Sequence, residues 1–173
     1  GEIFFKGHNT TKAGIHKVSR LGIGIKNQVP DVFDGLDVKE NIWLAARFCN
    51  TAEKALHIVD DIISRLSLEL IAHKLVGELA HGERQWVEFG MVSALDPQLL
   101  LLDEPTAGMT VDETAKTAEL ILELNKTISI IVVEHDMQFI RKIANIVTVF
   151  HQGKILMEDT MENIQQNELV RNI

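Results

Sequence analysis

The sequence predicts an α/β fold built on a mostly parallel sheet, with a helical subdomain inserted into it. Three observations carry this. Leu99-Leu100-Leu101-Leu102 is an unbroken apolar run that ends abruptly in Asp103-Glu104. Ile130-Ile131-Val132-Val133 is a second such run, ending in Glu134-His135-Asp136. From residue 99 onward, strand and helix patterns alternate: strand 99–102, helix 113–125, strand 129–133, helix 137–144, strand 146–150. Strands buried on both faces of a parallel sheet read as continuous apolar runs, and the intervening helices supply the crossovers.

The remaining elements follow from local signals. Residues 3–5 and 21–25 read as short strands, with one or two helical turns over 13–19 between them. Pro30 pushes Val29 away from helical geometry and breaks the chain there. Asp37, with Glu40 three residues on, is a capping box opening a helix through Phe48. Residues 52–65, 69–74 and 83–95 continue in helical style. After strand 146–150, His151-Gln152-Gly153-Lys154 is a turn into Ile155-Leu156-Met157. The tail, 161–173, reads as a short helix with a frayed end. Residues 1–28 and 96–173 therefore form one core, and 35–92 form the helical insert.

Composition narrows the function classes. The chain has 173 residues, 46% of them apolar, and a mean hydropathy of +0.07. Its apolar runs fall far short of the roughly 20 residues a membrane-spanning helix needs. A net charge of −8 argues against a nucleic-acid-binding surface. The single Cys49 has no internal disulfide partner and fits a reducing compartment. His8, His16, His57, His73 and His151 show no metal-ligand spacing, and Trp43 and Trp86 sit in helical patterns as packing residues.

Ligands of open α/β sheets bind at the carboxyl ends of the strands, so Asp103 and Glu104 stand at the mouth of a site. One carboxylate can hold Mg²⁺ and the next can orient or deprotonate a water, which is what nucleotide hydrolysis requires. Upstream, Leu79-Ala80-His81-Gly82-Glu83 opens a helix, whose N-terminus attracts anions through free amides. Gly22-Ile23-Gly24-Ile25-Lys26-Asn27-Gln28 ends a short strand.

In this order and at these intervals, the segments resemble the ATP-binding subunit of ATP-binding cassette (ABC) transporters, over essentially the whole chain. The resemblance implies a P-loop NTPase core and assigns roles. Gln28 falls at the Q-loop, 79–83 at the signature motif, Asp103 and Glu104 at Walker B, 107–110 at the D-loop and His135 at the switch histidine. Glu104 would be the catalytic base and His135 would position the attacking water. Asp103 and Gln28 would hold Mg²⁺. Ala80, His81, Gly82, Glu83 and Gly108 would meet the ATP of a partner subunit. The signature motif is degenerate: Ala80 lacks the family's serine hydroxyl, His81 replaces a glycine, and Glu83 brings a negative charge in place of glutamine. These departures imply weaker clamping of ATP.

The family's P-loop, Gly-x-x-x-x-Gly-Lys-Ser/Thr, does not occur in these residues; the one Gly-Lys pair, Gly153-Lys154, has the wrong flanks. The expectation is thus a fragment without the P-loop strand and helix, inactive alone and holding neither ATP nor Mg²⁺ tightly. Strands 129–133 and 146–150, which would flank the P-loop strand, are expected to close up on one another or to recruit a strand from another chain. His81, Gly108-Met109-Thr110 and Gln28-Val29-Pro30-Asp31-Val32-Phe33 resemble most the urea-transport subunits, with branched-chain amino acid importers next. The implied partners are integral membrane permease subunits and a second ATP-binding subunit. The implied location is the cytoplasmic face of the inner membrane, as a peripheral protein. Two rivals remain: a non-transport ABC ATPase, disfavoured by the acidic surface and short helices, and a catalytically dead interaction module.

Overall fold

Tight turns organise the start of the chain. Strands β1 (Phe4–Phe5) and β2 (His8–Asn9) pair antiparallel across Lys6-Gly7, both of which have positive φ. That backbone matches the twist of a two-residue hairpin. Helix α1 (Ile15–Arg20) and strand β3 (Ile23–Lys26) follow. Helix α2 (Val38–Arg47) opens on the expected capping box: Asp37 Oδ1 accepts from the Glu40 amide at 2.7 Å, and Glu40 Oε2 accepts from the Asp37 amide at 2.9 Å. Helix α3 (Ala52–Arg65) is capped by Thr51. Then come α4 (His81–Ser93), β4 (Leu99–Asp103), α5 (Val111–Asn125) and β5 (Ser129–Val133). After these stand α6 (Met137–Ile143), β6 (Val147–His151), β7 (Lys154–Asp159), α7 (Met161–Gln166) and α8 (Glu168–Arg171).

The computed structural model describes residues 1–171, so the end of the tail lies outside the described residues. The chain divides into two compact units, Gly1–Val133 and a second that begins at Glu134.

The first unit is built on a parallel sheet in the order β3-β4-β5, with Gly24, Leu100 and Ile130 in register. Helix α4 lies against it. A Cβ at Gly24 would come within 2.5 Å of Val92 on α4, so only glycine permits this approach. Val87, Phe89 and Val92 of α4 are buried with Leu100 and Leu102 of β4, Val38 and Ile42 of α2, and Leu120 and Leu124 of α5. Each such side chain contributes about 1.5–3 kcal/mol on leaving water. The opposite face of the sheet is barer: Ile25, Ile131 and Val133 are exposed.

The second unit carries the antiparallel hairpin β6-β7, turned by Gln152-Gly153 with positive φ at both residues. Phe139, Ile140, Ile143, Met161 and Ile164 form its small core.

Three expectations need correction. The helical style of 69–74 yields only a 3-10 turn, Glu69–Ile71, followed by a second, Val76–Glu78. Ser67 at φ +51° breaks helical continuity, and buried Leu68, Ile71 and Ala72 anchor the segment instead. Helices expected to begin at 83 and 113 begin at His81 and Val111, because carboxylates two or three residues on cap their first turns. Finally, among the described residues β5 pairs with β4 and β6 with β7, and the expected pairing of 129–133 with 146–150 is not made. The two-residue turn gives β6 a local partner at minimal loop-closure cost.

Candidate functional site

The carboxyl end of the sheet gathers several of the singled-out residues. Asp103 closes β4 and is exposed. Glu104 follows in the left-handed region at φ +42°, with its amide bonded to Val133 O at 2.9 Å. A non-glycine residue there stores about 1–3 kcal/mol of strain, and such strain concentrates at functional sites. The Gln28 side chain, just beyond β3, donates from Nε2 to Glu104 Oε2 at 2.8 Å, which leaves its amide oxygen as an acceptor.

The loop carrying Gln28 is fastened to α4 by residues that sequence reasoning missed. Lys26 is fully buried; its Nζ lies 3.3 Å from Glu88 Oε2 and bonds Gln85 Oε1 and the Asn27 carbonyl. Gln85 Nε2 donates to the Gln28 carbonyl at 3.0 Å. Glu88 Oε1 accepts from the Asp31 amide at 3.2 Å, and Arg84 pairs with Asp34 at 2.6 Å. Burial pushes the Lys26 ammonium below its ordinary value and the Glu88 carboxyl above its own; their mutual attraction opposes both shifts. The available signal was a lysine closing an apolar strand and a glutamate inside Trp86-Val87-Glu88-Phe89.

The signature-like segment sits at the start of α4. Ala80 and His81 are exposed, Glu83 is half-buried and Gly82 is buried. Glu83 does not stand free as an unbalanced charge: its Oε2 accepts from the Ala80 amide at 3.0 Å, half of a capping box that Ala80 cannot complete. His81 Nε2 lies 3.1 Å from Ala107 O and 3.3 Å from Gln85 Nε2. Gly108, at φ +74°, lies beside the His81 ring. Trp86 packs as expected, donating from Nε1 to Thr117 Oγ1 at 3.0 Å.

His135 belongs to the second unit. Its side chain is exposed, with Nδ1 3.8 Å from Glu134 Oε2, and its amide donates to that oxygen at 2.9 Å. Asp136 caps α6 by accepting from the Gln138 and Phe139 amides.

Asp103, Gln28 and Glu104 supply hard oxygen donors at an accessible strand end, which suits Mg²⁺, an ion that keeps several of its waters. Among the described residues no cluster of three or more His, Cys, Asp or Glu could hold a metal by itself. No glycine-rich phosphate cradle occurs in the sequence.

A parallel sheet with helices, bearing acidic residues at its strand ends, is an α/β fold of the P-loop NTPase type, and the solved ABC ATPases share this fold. The chain belongs to the ABC transporter family, whose match spans residues 1–107. It is 31% identical to the L-arabinose transport ATP-binding protein AraG of Geobacillus stearothermophilus, over 100% of this chain and 35% of that protein. It is 28% identical to the ribose import ATP-binding protein RbsA of Caldanaerobacter subterraneus subsp. tengcongensis, over 99% of this chain and 36% of that protein. The chain thus spans about a third of the length of these curated relatives. The structure of cbiO1 from Clostridium perfringens, part of the ABC transporter complex cbiONQ, superposes with a TM-score of 0.83 at 24% identity, over 98% of this chain and 70% of that one. The names of the two curated relatives refer to pentoses and lend no support to urea or branched-chain amino acids. No helix among the described residues is long and apolar enough to cross a membrane.

Proposed function

We propose that this chain supplies the hydrolytic face and signature segment of an ABC importer's ATP-binding subunit. The observation that carries the reading is the Gln28–Glu104 hydrogen bond at the carboxyl end of the parallel sheet, in a chain of this family. Glu104 acts as the general base, and Gln28 fixes its carboxylate. His135 acts on the attacking water. Asp103 and Gln28 hold Mg²⁺; ATP with this ion supplies the phosphoryl group that is hydrolysed. Ala80, His81, Gly82, Glu83 and Gly108 face the nucleotide of a second ATP-binding subunit.

Residues 35–92 serve as the helical subdomain that meets the permease, and 1–28 with 96–173 as the ATPase core. The complete protein then works peripherally at the cytoplasmic face of the inner membrane. Crosslinks from Asp31 or Asp34 are expected to reach a cytoplasmic loop of a permease; crosslinks arising only from 157–171 would overturn this placement. The relatives favour a pentose as cargo. The Gly108-Met109-Thr110 and His81 pattern keeps urea and branched-chain amino acids as a second reading. ATP-dependent uptake of L-arabinose, ribose, urea and leucine by vesicles holding the complete transporter decides between them, and uptake of none overturns the importer reading.

These 173 residues contain no P-loop amides or lysine, the groups that cradle ATP phosphates. Calorimetric titration of the chain with Mg-ATP is therefore expected to show no micromolar binding. A micromolar Kd would mean that other residues make the cradle.

A further inference from the structure

The first turn of α4 and the start of α5 are joined by one carboxylate. Glu113 Oε2 accepts from the Thr110 amide and the Thr110 hydroxyl, both at 2.8 Å. The same carboxyl group lies against Gly82 on the other helix, where a Cβ would come 2.3 Å from Glu113 Oε1. These bonds, led by the Thr110 amide, hold the Glu113 carboxyl below its ordinary range. Its other oxygen packs directly on Gly82: a Cβ there would lie 2.5 Å from Glu113 Cδ. A second tie runs parallel, from His81 Nε2 to Ala107 O at 3.1 Å.

We propose that Glu113 is a positioning residue that locks residues 107–110 to the first turn of α4, so that the two segments are presented as one rigid surface. The consequence for ATP turnover rests on the function proposed above; the clamp itself does not. A helix cap alone needs only the Thr110 bonds. The additional contact with Gly82 brings together two segments about 30 residues apart in sequence, and a side chain at position 82 would have to displace the Glu113 carboxyl group.

Amide hydrogen exchange on the 173-residue chain tests the clamp without any nucleotide. In Glu113→Ala, exchange is expected to speed up about tenfold or more at Gly82 as well as at Thr110, while Val59 and Ile62 in α3 keep their protection. Acceleration confined to 110–114 would reduce Glu113 to a helix cap and overturn the proposal. Should Glu113→Ala unfold, Glu113→Gln keeps the shape and is read in the same way. Melting gives a second measure. Gly82→Ala is expected to lower Tm, and Glu113→Ala in the same chain to recover more than half of that loss. Additive losses would overturn the proposal. In the complete protein, Glu113→Gln is expected to lower kcat for ATP about tenfold with KM little changed. A complete wild-type protein without ATPase activity would count against the proposed function, and the exchange result would still decide the clamp.

Discussion

Replacing Lys26 with methionine is expected to destabilise the first unit by about 3–5 kcal/mol, the usual penalty for stranding one member of a buried ion pair. Methionine fills the volume of the lysine stem, so the loss is electrostatic rather than a cavity. Glu88 would keep only the Asp31 amide as a donor in a site from which water is excluded. The double variant Lys26→Met/Glu88→Leu is expected to recover most of the loss, since a well-packed apolar pair often matches a buried salt bridge. The pH dependence has a definite sign. Burial raises the native Glu88 pKa above its ordinary value of 4.5, and removing Lys26 removes the charge that opposed this. The native state therefore binds the proton more tightly than the unfolded chain, and stability falls as pH rises above 4.5 through the native value. The Lys26→Met deficit should be largest near pH 8 and shrink toward pH 5. Urea denaturation at several pH values measures it; a deficit below about 1 kcal/mol that is flat with pH would show the pair to be dispensable.

Glu104→Gln in the complete protein is expected to slow ATP hydrolysis by about 10²–10⁴-fold, the range for loss of a general base. Nucleotide binding should be unaffected. The backbone at 104 is held by the bond to Val133 O, and glutamine can still accept from Gln28 Nε2. Geometry is thus retained while the proton acceptor is lost. Phosphate release under single-turnover conditions reads the step directly, and an unchanged rate would remove Glu104 from the chemistry.

What the sequence made legible was local or strongly periodic. Strands β4 and β5 announced themselves as apolar runs ending in polar residues, because both lie in a parallel ladder. Helix α2 was readable from Asp37 and Glu40 alone, since a capping box closes within four residues. The β6-β7 hairpin was readable from the turn at 151–154, and the β1-β2 hairpin was less visible. Lys6-Gly7 and Gln152-Gly153 hold positive φ at both turn positions, yet only the glycine of each pair advertises it. Contacts between distant segments lay beyond reach from composition or periodicity. Nothing local marks Glu113 as the carboxylate over Gly82, or Glu88 as the partner of Lys26. Asp103 and Glu104 were legible as the polar end of an apolar strand, whereas Gln28 and His135 came into view only through the ordered resemblance of whole segments. Their spacing in the chain encodes the crossovers that bring strand ends together.

The sheet's barer side carries a practical consequence. Ile131 is 54% exposed and Val133 61%, and both stand on an edge strand with backbone groups open to a further partner. In a concentrated solution such a surface makes the chain adhesive: apolar side chains drive encounter, and the free ladder can convert encounter into β-pairing. Association that grows with protein concentration, followed by light scattering, is the expected result.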